Sequence, residues 1–504
     1  MEWFQKFCCP PARENLHVSP GMNELVGPLW RTMDVLRAHG AVVYDAAGYV
    51  FRLLVLKFLS DVTDGHPTSG VPQFVVPPLA HWSQLRGHSP SGLGDRVNQA
   101  CAVLEKANPS LNRLLTEADF NSIRLGDRVL VALIQTLSAL PHLSGELVSD
   151  GSLGEVADDF LHRLAEASGR GYGEFYTPPS VARLLAELLD PQEGMRLYDP
   201  VCGVGGFLVE CTRRVASKSA MSLSRAAATL VLHGQEKNAE RWALCRMNLL
   251  LHGIVDARIE HGNALWSPLI TEQGRLLEYD RILADPPWNL DNWGAELAAN
   301  DAFGRFTPLP PRHNANYAFV QHCLAALAEG GRVTILMPRG ALFRGGVEEQ
   351  IRRKLLEEDR FEAIIGLPGN LLYDISIAPI ILVLRKGKPA DRRNHVLFID
   401  ASEAGVKKSR RRVLLQEDIS AIVKAFQDFG DNGRHSRAVH LDEIAKLNWN
   451  LTVEQYVERA EERERLMLGE QLDALADAEK QRDEAARRMD AAVSRLQRFC
   501  PSAF

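Results

Sequence analysis

The sequence predicts an α/β protein with a mostly parallel sheet, preceded by a helical N-terminal domain and followed by a coiled-coil-like terminal helix. Strand-like runs at 195–199, 230–235, 257–261, 280–284, 332–337, 361–366 and 378–385 alternate with helical stretches at 206–218, 238–252, 316–329 and 346–358. Such alternation implies a parallel sheet of Rossmann-like type with helices on both faces. Ahead of it, from Met22 to Ser149, apolar residues recur at helical spacing. Behind it, Leu468, Leu472, Leu475, Glu479, Arg482, Ala486, Met489, Val493 and Leu496 step by alternating fours and threes, a heptad seam with two polar positions.

These patterns divide the 504 residues into a tail (1–23), a helical domain (24–150), an α/β domain (151–405), a helical or irregular extension (406–460) and a heptad helix for subunit association (461–504). Within the helical domain the periodicity marks Glu24–Arg37, Tyr44–Val62, Leu93–Ala107, Pro109–Leu115 and Leu125–Ser138, with Asn108 expected to cap the helix that Pro109 opens. Late in the α/β domain, Ala378–Leu384 and His395–Ile399 suggest an antiparallel edge. The basic loop Arg385–Arg393 between them reads as a solvated turn within reach of phosphate.

Hydrophobic residues at 46% and charged residues at 24% are ordinary for a soluble globular protein. No apolar run approaches the roughly 20 residues that span a bilayer, and the first residues lack a signal peptide's apolar core, so a cytoplasmic protein with no membrane partner is expected. The eight cysteines form no Cys-x-x-Cys pair, so neither a zinc site, nor any other metal, nor a disulfide framework is expected. A net charge of −6 argues against tight, autonomous nucleic-acid binding.

The chemistry concentrates at strand ends. Asp199 closes a short strand and Cys202, Gly203, Val204, Gly205, Gly206 and Phe207 follow as a glycine-rich turn into a helix. Glycines admit a nucleoside close to the backbone, but the spacing departs from G-x-G-x-x-G, which disfavours a nicotinamide oxidoreductase. An acidic residue beside the turn disfavours a diphosphate and suits the sulfonium and ammonium of S-adenosylmethionine. Glu236 ends the second strand, placed to accept from ribose hydroxyls, although its distance from Asp199 exceeds the roughly 20 residues of a dinucleotide fingerprint. Asn263 follows the third strand, as a reader of the adenine edge or as a turn former.

Asp285-Pro286-Pro287-Trp288 follows the fourth strand. Proline removes N–H donors, so Pro286 offers its carbonyl and Asp285 its carboxylate, two acceptors for the N–H groups of an exocyclic amine. Trp288 would stack on the base, which must leave a duplex to arrive there. The plainer alternative is a Pro-Pro turn with a core tryptophan. Upstream, Glu174, Phe175, Tyr176, Thr177 and Pro178 precede an amphipathic helix that Thr177 or Ser180 could cap, while the aromatic pair could cover a cofactor.

Taken in order, GEFYTPPSVARLL, DPVCGVGGFL, GQEKNAERWALCRMNLLLHG, ADPPW, the long segment from Arg339 to Lys386 and FIDAS resemble the modification (methyltransferase) subunit of type I restriction–modification systems, an adenine-N6 DNA methyltransferase family. The resemblance spans about residues 24 to 460. It implies the S-adenosylmethionine-dependent methyltransferase fold, cofactor contacts from Tyr176, Thr177, Pro178, Asp199, Gly203, Gly205, Gly206 and Glu236, and catalysis at Asp285 to Trp288. It further implies C-terminal helices that pair with a specificity subunit, double-stranded DNA as substrate, and association with a second copy and a restriction nuclease subunit. Two departures stand out: Asp285 and Trp288 replace the family's usual Asn-Pro-Pro-Phe, and Asp374-Ile375 replaces its Gly-Thr. The first leaves cytosine N4 open beside adenine N6. Glutamine-N5 protein methylation and a catalytically silent scaffold are the rival readings.

Overall fold

In the computed structural model the residues described are 22–39, 43–64, 73–86, 91–121, 126–167, 176–373, 375–408, 411–431, 435–457 and 475–489. They fall into two compact units, one ending at Val457 and one beginning at Glu458.

The first unit begins with helices α1 (Met22–Ala38), α2 (Val43–Asp64), α3 (Leu93–Ala107), α4 (Asp127–Ser138) and α5 (Ser152–Ala167). On α1, Leu25, Leu29, Met33 and Leu36 are buried, a single stripe at helical spacing. Helix α2 is buried on every side from Val50 to Asp61, as suits a helix enclosed by others. Its buried charges are paired: Lys57 Nζ donates to Asp61 Oδ2 at 2.6 Å, and Arg52 donates two hydrogen bonds to Glu240, at 2.7 and 2.9 Å. Asn108 does not cap a helix, and only a 3-10 turn, Pro109–Leu111, follows it. Its carboxamide accepts from Val75 N–H at 2.9 Å and donates to Val75 and Leu104 carbonyls at 2.8 Å, securing the segment 73–77 instead.

Next come α6 (Pro179–Leu189), β1 (Arg196–Asp199), α7 (Gly206–Lys218), β2 (Val231–Glu236), α8 (Ala239–Leu251), β3 (Arg258–His261) and β4 (Tyr279–Ala284). The remainder of the fold is α9 (Asn316–Ala325), β5 (Leu327–Pro338), α10 (Val347–Glu357), β6 (Phe361–Gly366), β7 (Pro379–Arg385), β8 (His395–Asp400), α11 (Gln416–Asp428) and β9 (Ser436–His440). The nine strands form one sheet in the order β9-β8-β6-β7-β5-β4-β1-β2-β3. Pairing from β5 through β4 and β1 to β3 is parallel. Alternate residues face separate cores: Leu197, Leu283 and Leu336 meet α6, α7 and α8, while Tyr198, Ile282 and Ile335 meet α9 and α10. The order reverses between β1 and β4, where open α/β sheets leave a crevice at their carboxyl ends.

Three further expectations give way. The run at 378–385 does not form an antiparallel edge with 395–399. As β7 it is inserted antiparallel between β5 and β6, and β8 pairs parallel with β6. The helix expected to reach 329 ends at Ala325, because Tyr279 N–H donates to the Ala326 carbonyl and draws Leu327 into the ladder. The basic loop after β7 is spent internally: Arg385 and Arg392, with Arg332, converge on the buried Glu362, and Lys388 pairs with Asp359 at 2.6 Å. No described helix is long and apolar enough to cross a membrane. In the second unit, residues 475–489 are helical, with Leu475, Glu479, Arg482, Ala486 and Met489 all exposed, while Leu468, Leu472, Val493 and Leu496 lie outside the described residues.

Helix α8 packs against α2 and α5, so Arg52 and Glu240 join the helical domain to the sheet. A Cβ on Gly48 would lie 1.5 Å from Glu240 Oε1, so glycine is what admits the carboxylate. Arg52→Met removes two charge-assisted bonds and is expected to cost about 1–3 kcal/mol, read as a lower thermal midpoint.

Candidate active site

At the β1/β4 crevice lies a cavity of about 690 Å³. Asp199, Glu236 and Asp285 arrive there because each ends, or directly follows, a neighbouring parallel strand. Asp199 is wholly buried behind the cavity wall; its Oδ1 accepts from Val201 N–H at 3.0 Å and its Oδ2 has no partner among the described residues. Burial, then the negative charges of Glu236 and Asp285, pushes the Asp199 carboxyl well above the usual carboxylate range, against the pull of the Val201 N–H. Glu236 accepts from Gly203 N–H at 3.1 Å and Asn238 N–H at 2.8 Å, so the second strand end is stitched to the glycine turn.

Asp285 opens into the cavity beside Pro286, Pro287 and Trp288. Thr177 Oγ1–H donates to its Oδ2 at 2.6 Å. Burial raises the Asp285 carboxyl to about 7, and the Thr177 hydroxyl restrains the rise. Trp288 carries a buried Nε1–H with no acceptor among the described residues. The loop is held from behind. Asn289, in a left-handed conformation at φ 51°, donates its N–H to Asn316 Oδ1 at 3.0 Å and accepts from Arg344 at 2.8 Å. Asn316 N–H in turn donates to Asn314 Oδ1 at 3.0 Å.

The cavity draws together Tyr176, Thr177, Cys202, Gly203, Val204, Gly206, Phe207, Glu236, Asn263 and the four residues from Asp285 to Trp288. Pro178 and Gly205 stand just outside its wall, Pro178 as the N-cap residue of α6 and Gly205 as that of α7. Glu174, Phe175 and Asp374 lie outside the described residues. Neither Thr177 nor Ser180 caps α6, since the Thr177 hydroxyl is committed to Asp285. Asn263 serves as turn former and cavity wall at once: its Oδ1 accepts from Leu265 N–H at 2.9 Å.

Sequence reasoning missed Asp158, Glu210 and Arg213, which also line the cavity. Arg213 bridges both carboxylates at 2.6 Å, tying α5 to α7. On a single helix these residues are ordinary charges, and only the packing of α5 on the sheet reveals the cluster. The Asn289, Asn314, Asn316 and Arg344 knot was equally invisible, although an asparagine directly after Trp288 was a usable hint.

The sheet order, the glycine turn and the acidic strand ends define the fold class of S-adenosylmethionine-dependent methyltransferases. Within it, this chain belongs to the N-6 DNA methylase family, whose model matches residues 148–465; residues 25–137 match the HsdM N-terminal domain. It is 35% identical over 324 residues to the type I restriction enzyme MjaVII methylase subunit of Methanocaldococcus jannaschii, covering 62% of this chain and 54% of the relative. The chain thus spans about half the length of that relative. To the HindI methylase subunit of Haemophilus influenzae it is 30% identical over 391 residues, covering 74% of this chain and 84% of that one. The solved type I restriction-modification methyltransferase subunit from Streptococcus thermophilus matches with a TM-score of 0.73 at 25% identity, covering 87% of this chain and 100% of that chain.

Two outcomes follow from the geometry. With a folded value of about 7 against an unfolded 3.8, Asp285 costs no stability below pH 4, increasingly more as pH rises to 7, and its full penalty above. Asp285→Asn should therefore raise the thermal midpoint of the ligand-free protein at pH 8 and leave it unchanged at pH 4. Gly205 sits at φ 86°, and a Cβ there would lie 2.9 Å from Cys245 Sγ. Gly205→Ala should cost about 1–2 kcal/mol of stability through the left-handed backbone alone, visible in denaturant unfolding.

Proposed function

We propose that this chain is the catalytic subunit of a site-specific DNA methyltransferase that transfers a methyl group from S-adenosylmethionine to the N6 amine of adenine. Double-stranded DNA is the substrate, and a separate specificity subunit supplies the target sequence. The observation that carries the reading is Asp285, gripped through Oδ2 by Thr177, beside a buried Asp199 whose second oxygen has no partner among the described residues. The relatives named above, all methylase or methyltransferase subunits of type I systems, support it.

The residues present fit the cofactor. The acidic strand ends at one crevice suit a cationic ligand better than a diphosphate, since an incoming positive charge favours their ionised forms, and a buried Asp199 oxygen, orphaned among the described residues, is an acceptor awaiting a donor. Bound S-adenosylmethionine supplies a methyl group on a positively charged sulfur. Glu236 has both oxygens oriented by backbone N–H groups and keeps lone pairs for ribose hydroxyls. The turn from Cys202 to Phe207, Asn263 and Tyr176 enclose the nucleoside and methionine.

Asp285 Oδ1 and the Pro286 carbonyl accept the two N–H groups of the exocyclic amine. That grip draws the nitrogen lone pair out of conjugation with the ring, which is positioning and electrostatics without a covalent enzyme intermediate. As the nitrogen becomes alkylated it sheds one proton, which Asp285 Oδ1 accepts. Trp288 covers the face of the base. The acidic net charge is consistent with a partner that carries most of the DNA grip. The heptad helix is the association surface, a second copy and a restriction nuclease subunit complete the assembly, and the setting is the cytoplasm.

The test is methyl transfer from labelled cofactor by the chain with its specificity subunit, followed by separation of N6-methyladenine from N4-methylcytosine. N6-methyladenine is expected, the chain alone should bind cofactor yet methylate poorly, and Asp285→Ala should lose roughly 100-fold or more in rate with cofactor binding kept. N4-methylcytosine as the product, or methylation that survives Asp285→Ala, refutes the assignment.

A further inference from the structure

Two large apolar side chains stand in solvent where the loops of the site come together. Phe343 is 53% exposed and Ile377 is 55% exposed. In the sheet β5 lies between β4 and β7, and Pro338 at the end of β5 pairs with Pro379 at the start of β7. The loops carrying Asp285, Phe343 and Ile377 are therefore neighbours on one edge.

Phe343 is held out deliberately. The two residues before it, Ala341 and Leu342, are buried, and the Ala341 carbonyl accepts from Tyr317 Oη at 2.7 Å and from Arg352 at 3.3 Å. The residue after it, Arg344, has its carbonyl bound by Arg352 at 3.0 Å and donates its guanidinium to Asn289, the residue next to Trp288. The ring thus projects from a backbone braced on both sides and tied directly to the catalytic loop. Ile377 is comparably placed. Ile375 bridges to Leu372, both residues line the cavity, and the Ser376 carbonyl accepts from Asn370 N–H.

A base that reaches Asp285 has left the duplex, and the vacated place in the stack must be refilled or collapse. Apolar side chains on rigid supports are suited to enter a base step, and an aromatic ring can stack there. We propose that Phe343, with Ile377 beside it, is a wedge that enters the DNA stack and fills the space left by the base taken into the cavity. This rests on the reading of the cavity as a nucleobase site.

The experiment uses the chain assembled with its specificity subunit, on two duplexes bearing its target sequence. In one the target adenine is paired; in the other it faces an abasic site and is already loose. Phe343→Ala should lower kcat/KM on the paired duplex by roughly tenfold or more, since the wedge offsets unstacking, and stay near wild type on the abasic duplex. Phe343→Leu should restore much of the loss, Ile377→Ala should show a smaller loss with the same substrate dependence, and cofactor binding should be unchanged throughout. An equal loss on both duplexes, or no loss on the paired one, overturns the wedge. A wild-type complex that methylates neither duplex overturns the nucleobase reading itself, and the wedge with it.

Discussion

Three carboxylates held close together at the ends of adjacent strands are the constraint that the rest of this protein accommodates. Asp199 lies deepest, with Glu236 and Asp285 adding to the cost of its ionisation. Left to themselves such groups would separate or draw in water. The sheet prevents this, because β1, β2 and β4 are locked in parallel register and their ends cannot move independently. Backbone N–H groups from Val201, Gly203 and Asn238, and the Thr177 hydroxyl, each engage one oxygen and set its direction. The loops around the crevice are built from donors aimed at acids.

The backing of the glycine turn is as specific as the turn. Helix α8 supplies Cys245 behind Gly205 and Asn248, whose amide donates to the Val204 carbonyl at 3.0 Å. The same helix carries Glu240, clasped by Arg52 of α2. A single rigid rod thus touches the glycine turn on one side and the helical domain on the other. The helical domain gains a second hold on the site through α5, where Asp158 meets Arg213.

What the sequence disclosed follows from which forces are local. The strands ending at Asp199, Glu236 and Ala284 were legible, because apolar runs bounded by glycine or proline leave few alternatives. The same holds for the glycine turn and for the family, which the model match over residues 148–465 shows. The position of β7 was not legible: an apolar strand buried on both faces pairs equally well with several neighbours, and only the hydrogen bonds to β5 and β6 decide. Asn108 and Thr177 looked like helix caps, since short polar side chains before proline usually are. In both cases a partner distant in sequence, Val75 or Asp285, won the hydrogen bond. The basic loop after β7 failed as a surface feature for a similar reason, because the buried Glu362 claims its arginines.

The weakened acidity of the Asp199 and Asp285 carboxyls has a thermodynamic consequence for binding. Near neutrality, before any ligand enters, the crevice retains protons that ordinary carboxyl groups would have released. A ligand that brings positive charge expels them, so its uptake and proton release form one linked equilibrium. Affinity then climbs with pH until the crevice is fully ionised, and the heat of binding varies with the ionisation enthalpy of the buffer that takes up the protons. A neutral ligand of the same shape displaces no protons, and its affinity lacks that dependence on pH. The crevice therefore discriminates by charge through the protons it exchanges, in addition to any contact it makes.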